Sequence, residues 1–182
     1  MKLMRNIVLI GFMGSGKTSV GKRLSLRMKW EFIDMDDFIE KREGMTINEI
    51  FAQKGEPYFR SMEKELCERF SQPKCKIIAT GGGVIKNEDN MNNLKKGGVV
   101  IYLKSKPETI AYNLRNDNTR PLLMCEDKLG KIKELLTQRE PVYNKYADII
   151  IDVSELNLED TLNIIKKEYT KYENKYNKRT KH

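Results

Sequence analysis

The sequence predicts an α/β fold built on a mainly parallel sheet, and three observations carry that prediction. Short β-rich apolar runs alternate with longer stretches of helical periodicity, the pattern of βαβ units. The apolar runs do not alternate strictly with polar residues, as expected of strands covered on both faces. A glycine-rich octapeptide, Gly11 to Thr18, lies between the first apolar run and the first helical pattern.

Taken in chain order, Ile7–Ile10 is the first predicted strand and a helix is predicted from about Gly16 to about Met28. Glu31–Asp34 follows as the second strand, and Asp36-Asp37 then precede another apolar helical pattern. Thr46-Ile47-Asn48-Glu49 spells a capping box and starts a helix. Glu56-Pro57 opens the next one, with proline suited to a first helical turn, and it runs to about Phe70. The remaining strands are Ile77–Thr80, Val99–Leu103 and Asp148–Ile151. Helices are predicted over about Asn87–Lys95, Pro107–Arg115, Lys128–Tyr143 and Leu158–Lys175.

Between Asn116 and Asp127 the periodicity lapses, and Asn116-Asp117-Asn118-Thr119-Arg120-Pro121 is polar and turn-forming, so a mobile loop is predicted. Neither an internal repeat nor a dividing linker is evident. The expectation is one domain over residues 1–182, with a lid at about 112–126 and a basic tail at about 166–182. The stretch beyond Lys171 reads as a solvated or frayed helix end.

Composition narrows the function classes. Hydrophobic residues make up 39% and charged residues 33% of 182, an ordinary globular balance that suits one sizeable core. The net charge of +8 comes mostly from 24 lysines, against 10 arginines. Scattered lysine is a solvated surface before it is a nucleic-acid footprint, although it favours phosphate and carboxylate ligands. Cys67, Cys75 and Cys125 are odd in number and lack metal-ligand spacing, which fits a reducing compartment. His182 is the single histidine and the last residue, so histidine triads and His-ligated zinc are excluded. The N-terminal apolar run is too short for a signal peptide, and no stretch has the length of a membrane span. A cytoplasmic protein is expected, with no membrane or nucleic-acid partner.

Gly11-Phe12-Met13-Gly14-Ser15-Gly16-Lys17-Thr18 has the spacing Gly-x4-Gly-Lys-Ser/Thr in the strand–loop–helix context that a P-loop requires. The glycines let backbone N–H groups curl around phosphates, and the helix N-terminus adds partial positive charge. Lys17 is placed to reach the β- and γ-phosphates, and the Thr18 hydroxyl to ligate magnesium.

A nucleoside triphosphate site does not fix the reaction. Asn144-Lys145-Tyr146-Ala147-Asp148 imitates a guanine-reading motif but is one residue too long. Asp127-Lys128-Leu129-Gly130 has an Asp-x-x-Gly pattern but starts a helix. The third strand ends in Thr80-Gly81-Gly82-Gly83, where many ATPases carry a Walker B aspartate. The magnesium-associated carboxylate is therefore sought in Asp34-Met35-Asp36, at the end of the second strand. Helix capping is the alternative use of this acidic cluster. Strand ends in an open α/β sheet face one crevice, so the three loops should converge. Arg60, in a short helical segment after the second strand, and Arg139, on the late helix, offer forks for a carboxylate. Arg115 and Arg120 bracket the predicted loop, where a closing arginine can contact a transferred phosphoryl group.

These residues resemble shikimate kinase over essentially the whole chain to about Asp152. The matching elements are Gly11–Thr18, Asp34-Met35-Asp36, Phe59-Arg60 with Glu63, Gly81-Gly82-Gly83, Thr119-Arg120-Pro121-Leu122-Leu123, and Arg139 with Tyr143. The resemblance implies a P-loop NTPase-like fold with a five-stranded parallel sheet of order 2-3-1-4-5, flanking helices and a mobile lid. It implies ATP-dependent phosphorylation of the shikimate 3-hydroxyl, giving shikimate 3-phosphate and ADP on the route to chorismate and aromatic amino acids. ATP would be held by Gly14, Ser15, Gly16, Lys17, Thr18 and Ser19, with Arg120 from the lid. Thr18 and Asp34 would hold Mg2+, the aspartate through water. Asp36 would orient the attacking hydroxyl or accept its proton, which leaves Lys17, Asp36 and Arg120 as the catalytic set. Arg60 and Arg139 would grip the carboxylate, and Gly81, Gly82 and Gly83 would admit the ring, with Phe51 and Phe59 packed nearby. A monomer is expected. The alternatives are a gluconate-kinase-like sugar-acid kinase and a catalytically silent binding module of the same kind. Past Asp152 the resemblance fades, and the basic tail has no assigned role.

Overall fold

The computed structural model describes residues 4–117 and 123–179, and for residue 179 only the backbone. Five parallel strands form one sheet of order β2-β3-β1-β4-β5. They are β1 (Asn6–Ile10), β2 (Glu31–Asp34), β3 (Lys76–Ala79), β4 (Gly98–Lys104) and β5 (Ile149–Asp152). Each lies within about one residue of its predicted bounds, and the parallel register pairs Ile7 with Ile77 and Val99.

The helices are α1 (Lys17–Met28), α2 (Met35–Glu43), α3 (Ile47–Lys54), α4 (Glu56–Arg69), α5 (Glu88–Gly97), α6 (Pro107–Asn113), α7 (Lys128–Tyr146) and α8 (Leu158–Arg179). Right-handed crossovers sort them by face. The β1-to-β2 connection runs opposite to the other three, so α1 lies across the sheet from the main group. Val8 and Ile10 pack with Ile39 of α2, Ile50 of α3, Leu66 of α4, Leu94 of α5 and Tyr143 of α7. Ile7 and Leu9, one residue out of phase, pack instead with Val20 and Leu24 of α1 and Leu162, Ile165 and Tyr169 of α8. The period of two along a strand thus divides β1 between the two layers. A third cluster joins Phe12 to Ile110 of α6, Leu114, Leu123 and Ile132 of α7, above the carboxyl end of the sheet.

Local signals explain most helix starts. Thr46 accepts from Glu49 N and the Glu49 side chain accepts in return, completing the capping box ahead of α3. Asn87 caps α5, and Pro57 stands in the first turn of α4. The alternative use of the acidic cluster is realised: Asp34 caps α2, and Asp36 and Asp37 lie in its first turn. Two expectations are corrected. Arg60 lies on a 14-residue helix, not a short segment. The basic tail continues α8 to Arg179, and its inner face is packed, not solvated. Tyr169 is fully buried and Glu173 is 5% exposed, paired with Arg5 at 2.7 Å. Tyr172 donates to Asp148, and Arg5 lies over the Tyr176 ring. The outward face keeps the lysines.

Candidate active site

The loop after β1 takes its shape from its glycines. Gly14 and Gly16 have φ of 78° and 91°, left-handed values that side chains disfavour. Gly16 is the residue before α1, so the backbone turns directly into a helix N-terminus. Leu114 packs so closely on Gly14 that an added Cβ would lie 2.8 Å from it, and Asn113 Nδ2 donates to Gly14 O at 2.9 Å. The end of α6 therefore braces the loop, a role for Asn113 that no motif signals. Ser15 is buried with an unpartnered hydroxyl, and Lys17 Nζ donates to Gly11 O at 2.8 Å and Phe12 O at 3.1 Å. Ser19 is exposed, two residues further along α1.

Thr18 and Asp34 meet. The Thr18 hydroxyl donates to Asp34 Oδ2 at 2.6 Å, and Asp34 Oδ1 accepts from Asp36 N at 3.1 Å. One carboxylate thus caps α2 and faces the start of α1 at once. Asp36, in the first turn of α2, points at the loop after β3. A Cβ on Gly81 would lie 2.5 Å from Asp36 Oδ1 and 3.2 Å from Glu63 Oε1. A Cβ on Gly83 would lie 2.7 Å from Arg60 Cζ, and one on Gly82 would lie 3.6 Å from Arg139 Nη1. The three glycines are thus the floor on which three helices close, α2 with Asp36, α4 with Arg60 and α7 with Arg139. Val84–Lys86 leaves that floor as a single 3-10 turn.

The acid-binding candidates also come together. Arg60 donates from Nη1 to Glu63 Oε2 at 2.5 Å and from Nη2 to Glu56 Oε1 at 2.9 Å. Glu63 is 1% exposed, and its Oε1 has no partner. Burial pushes its carboxyl above the ordinary carboxylate range, nearby Asp36 adds to this, and Arg60 opposes both. Arg139 is 9% exposed, sits 5.5 Å from the Phe12 ring centroid and holds an unpartnered Nη1. Phe12 is a P-loop residue that sequence reasoning did not single out. Phe51 and Phe59 make an edge-to-face pair at 5.0 Å. Arg115 donates to Tyr112 O and stacks 3.9 Å from the Tyr112 ring. Arg120 and its neighbours Thr119, Pro121 and Leu122 lie outside the described residues.

One crevice at the carboxyl edge of β1, β2 and β3 therefore gathers a phosphate loop, two aspartates, a glycine floor and two arginines. The profile of the shikimate kinase family matches residues 13–169. A shikimate kinase of Caldanaerobacter subterraneus subsp. tengcongensis is 46% identical over 168 residues, covering 92% of this chain and 98% of its own. The structure is similar to that of a shikimate kinase from Acinetobacter baumannii in complex with shikimate, with a TM-score of 0.85 and 35% identity over 92% of this chain and 94% of that one. A gluconokinase from Sinorhizobium meliloti 1021 aligns over 98% of this chain and 99% of its own with a TM-score of 0.63, but at 14% identity it shares only the fold.

Proposed function

We infer the activity from one premise: the chain belongs to the shikimate kinase family. It is an ATP-dependent kinase whose acceptor is shikimate, and the sugar-acid alternative is not favoured. The single observation that carries the residue roles is that Asp36, Arg60 and Arg139 close on Gly81–Gly83 while Asp34, two residues before Asp36, meets Thr18 beside Lys17 of the phosphate loop.

Gly14, Ser15, Gly16, Lys17, Thr18 and Ser19 are assigned to ATP, with the loop N–H groups and the α1 N-terminus facing its phosphates. Lys17, near the loop carbonyls of Gly11 and Phe12, is assigned to the β- and γ-phosphates. The donor pair Thr18 Oγ1 and Asp34 Oδ2, two hard oxygens at the phosphate loop, fits Mg2+. Thr18 would hold the ion and Asp34 would reach it through water, and when bound it offsets phosphate charge.

Asp36 is assigned to the acceptor hydroxyl at position 3, where it holds the attacking oxygen in line with the γ-phosphorus. Arg60 and Arg139 clamp the carboxylate from α4 and α7, beside Gly83 and Gly82 of the glycine floor. Positioning and charge neutralisation then supply most of the catalysis, since phosphoryl transfer needs no covalent help from the protein. Arg120 is assigned to the phosphates from the lid segment. The whole chain is read as one kinase domain. All the assigned groups come from one chain, so the monomer is the proposed catalytic unit. The ATP requirement and the three unpaired thiols suit the cytoplasm.

An ADP-release assay with magnesium ATP and shikimate, gluconate or no acceptor tests the assignment. Turnover with shikimate far above both other arms is expected. Equal rates with gluconate, or none with shikimate, would remove it.

A further inference from the structure

Two buried polar atoms one helical turn apart on α7 have no partner: Nη1 of Arg139 and the hydroxyl of Tyr143. Both side chains are at least nine-tenths buried, at 9% and 1% exposure. Residues four apart on a helix lie on one face, so these groups are neighbours by construction. One is a donor without an acceptor, and the other is a hydroxyl that can accept. A buried donor or hydroxyl left unmet is costly, and two such groups side by side call for an explanation.

We infer that Tyr143 is a positioning residue for the acid clamp: in the shikimate complex its hydroxyl accepts from the Arg139 guanidinium and fixes that group's plane toward the bound carboxylate. The inference rests on the shikimate kinase reading above.

The surroundings of Tyr143 support this role. Its ring stacks on Tyr102 of β4, with centroids 4.8 Å apart and planes 22° apart, so the ring has little freedom to turn. Tyr102 is itself buried in the sheet, and the hydroxyl of Tyr143 is therefore presented from a fixed backing. Arg139 is backed on another side by the Phe12 ring. A guanidinium has five N–H donors in a rigid fork, and a bidentate carboxylate takes only two of them. An acceptor outside the carboxylate is what sets the remaining tilt. Burial pushes the Tyr143 phenol above its ordinary range, opposed by the charge of Arg139 and by the approach of that guanidinium to the hydroxyl, so the group is a neutral hydroxyl at assay pH and already lies within reach of Arg139. A purely structural tyrosine here would be replaced without loss by phenylalanine, since its oxygen satisfies nothing else.

The test compares wild type, Tyr143→Phe, Arg139→Ala and the double variant in steady-state kinetics, with thermal midpoints measured alongside. For Tyr143→Phe, a shikimate KM about ten-fold higher is expected, with the ATP KM and kcat unchanged and the thermal midpoint not lowered. In the Arg139→Ala background the same substitution should have no further effect, because Tyr143 acts through that arginine. A shikimate KM within two-fold of wild type overturns the inference. So do additive effects in the double variant, which mean independent action. A lower thermal midpoint with both Michaelis constants rising together also overturns it, marking Tyr143 as a packing residue. If wild type itself fails to use shikimate, the functional reading fails first, so the two failures are told apart.

Discussion

Arg139 and Lys17 are both cations in one crevice, and they should fail differently. Arg139 lies beside Gly82 of the glycine floor, where the acid is proposed to bind, whereas Lys17 lies along the phosphate loop. Arg139→Ala removes a charge-assisted contact worth about 2–3 kcal/mol, so the shikimate KM should rise roughly 30- to 150-fold with kcat much less affected. Lys17→Ala should instead lower kcat, because the charge it meets grows in the transition state. Steady-state kinetics on both variants separates the two roles.

Glu63 gives a prediction in pH. Its carboxyl is raised above 4.5 mainly by burial, against the pull of Arg60. A carboxyl raised on folding adds stability that is fully present below its unfolded value and is lost as pH rises through its folded value. Denaturant unfolding should therefore show Glu63→Gln gaining relative to wild type as pH climbs from 4.5, then levelling off. The same variant should bind shikimate less well, since Arg60 loses its charged partner.

At the scale of elements, Asp34 joins two devices that substitution can separate. It caps α2 and accepts from Thr18. Asparagine caps as well as aspartate, whereas alanine costs about 1 kcal/mol. Asp34→Asn should keep the thermal midpoint near wild type while turnover falls at limiting magnesium, and Asp34→Ala should lose both. If the two variants share wild-type turnover, Asp34 is a cap and nothing more.

This residue also marks how far the sequence could be read. The five strands, the P-loop and the glycine floor were legible because each is a local pattern: an apolar run, a fixed glycine spacing, a strand that ends in glycine. The Asp-x-Asp pair was legible as a cluster, but capping stood there only as an alternative to ligand binding, whereas Asp34 ends a strand, caps a helix and meets Thr18 at once. The grouping of Arg60 and Arg139 was expected from family resemblance, since α4 and α7 are far apart in sequence and are brought together only by packing on the same face of the sheet. Asn113 bracing Gly14 and Phe12 backing Arg139 left no signal, because both are tertiary contacts between ordinary residues.

Across the whole molecule, the lysine-rich C-terminus shows how composition can mislead. Its lysines face outward and read as solvated, yet Tyr169 inside the same helix is fully buried against Trp30 at 5.9 Å and donates to Arg5 O at 2.6 Å. The tail thus ties α8 to the start of β1, on the face of the sheet away from the acid clamp. Tyr169→Ala should cost on the order of 3–5 kcal/mol and lower the thermal midpoint by about 6–20 °C. The surviving folded enzyme should keep its Michaelis constants, because Arg5 and Trp30 precede β1 and β2, at the end of the sheet away from the phosphate loop. A change in shikimate KM without loss of stability would assign the tail a functional role instead.

The architecture also fixes what the chemistry can be. The phosphate loop follows β1 and the acid clamp closes on the loop after β3, and these two strands are neighbours in the sheet. Donor and acceptor therefore share one crevice and can react in a single in-line step. The stereochemistry of transfer from ATP made chiral at its γ-phosphorus tests that claim most directly. Inversion in the shikimate phosphate formed is the predicted result. Retention, which requires a phosphorylated enzyme between two displacements, would contradict it.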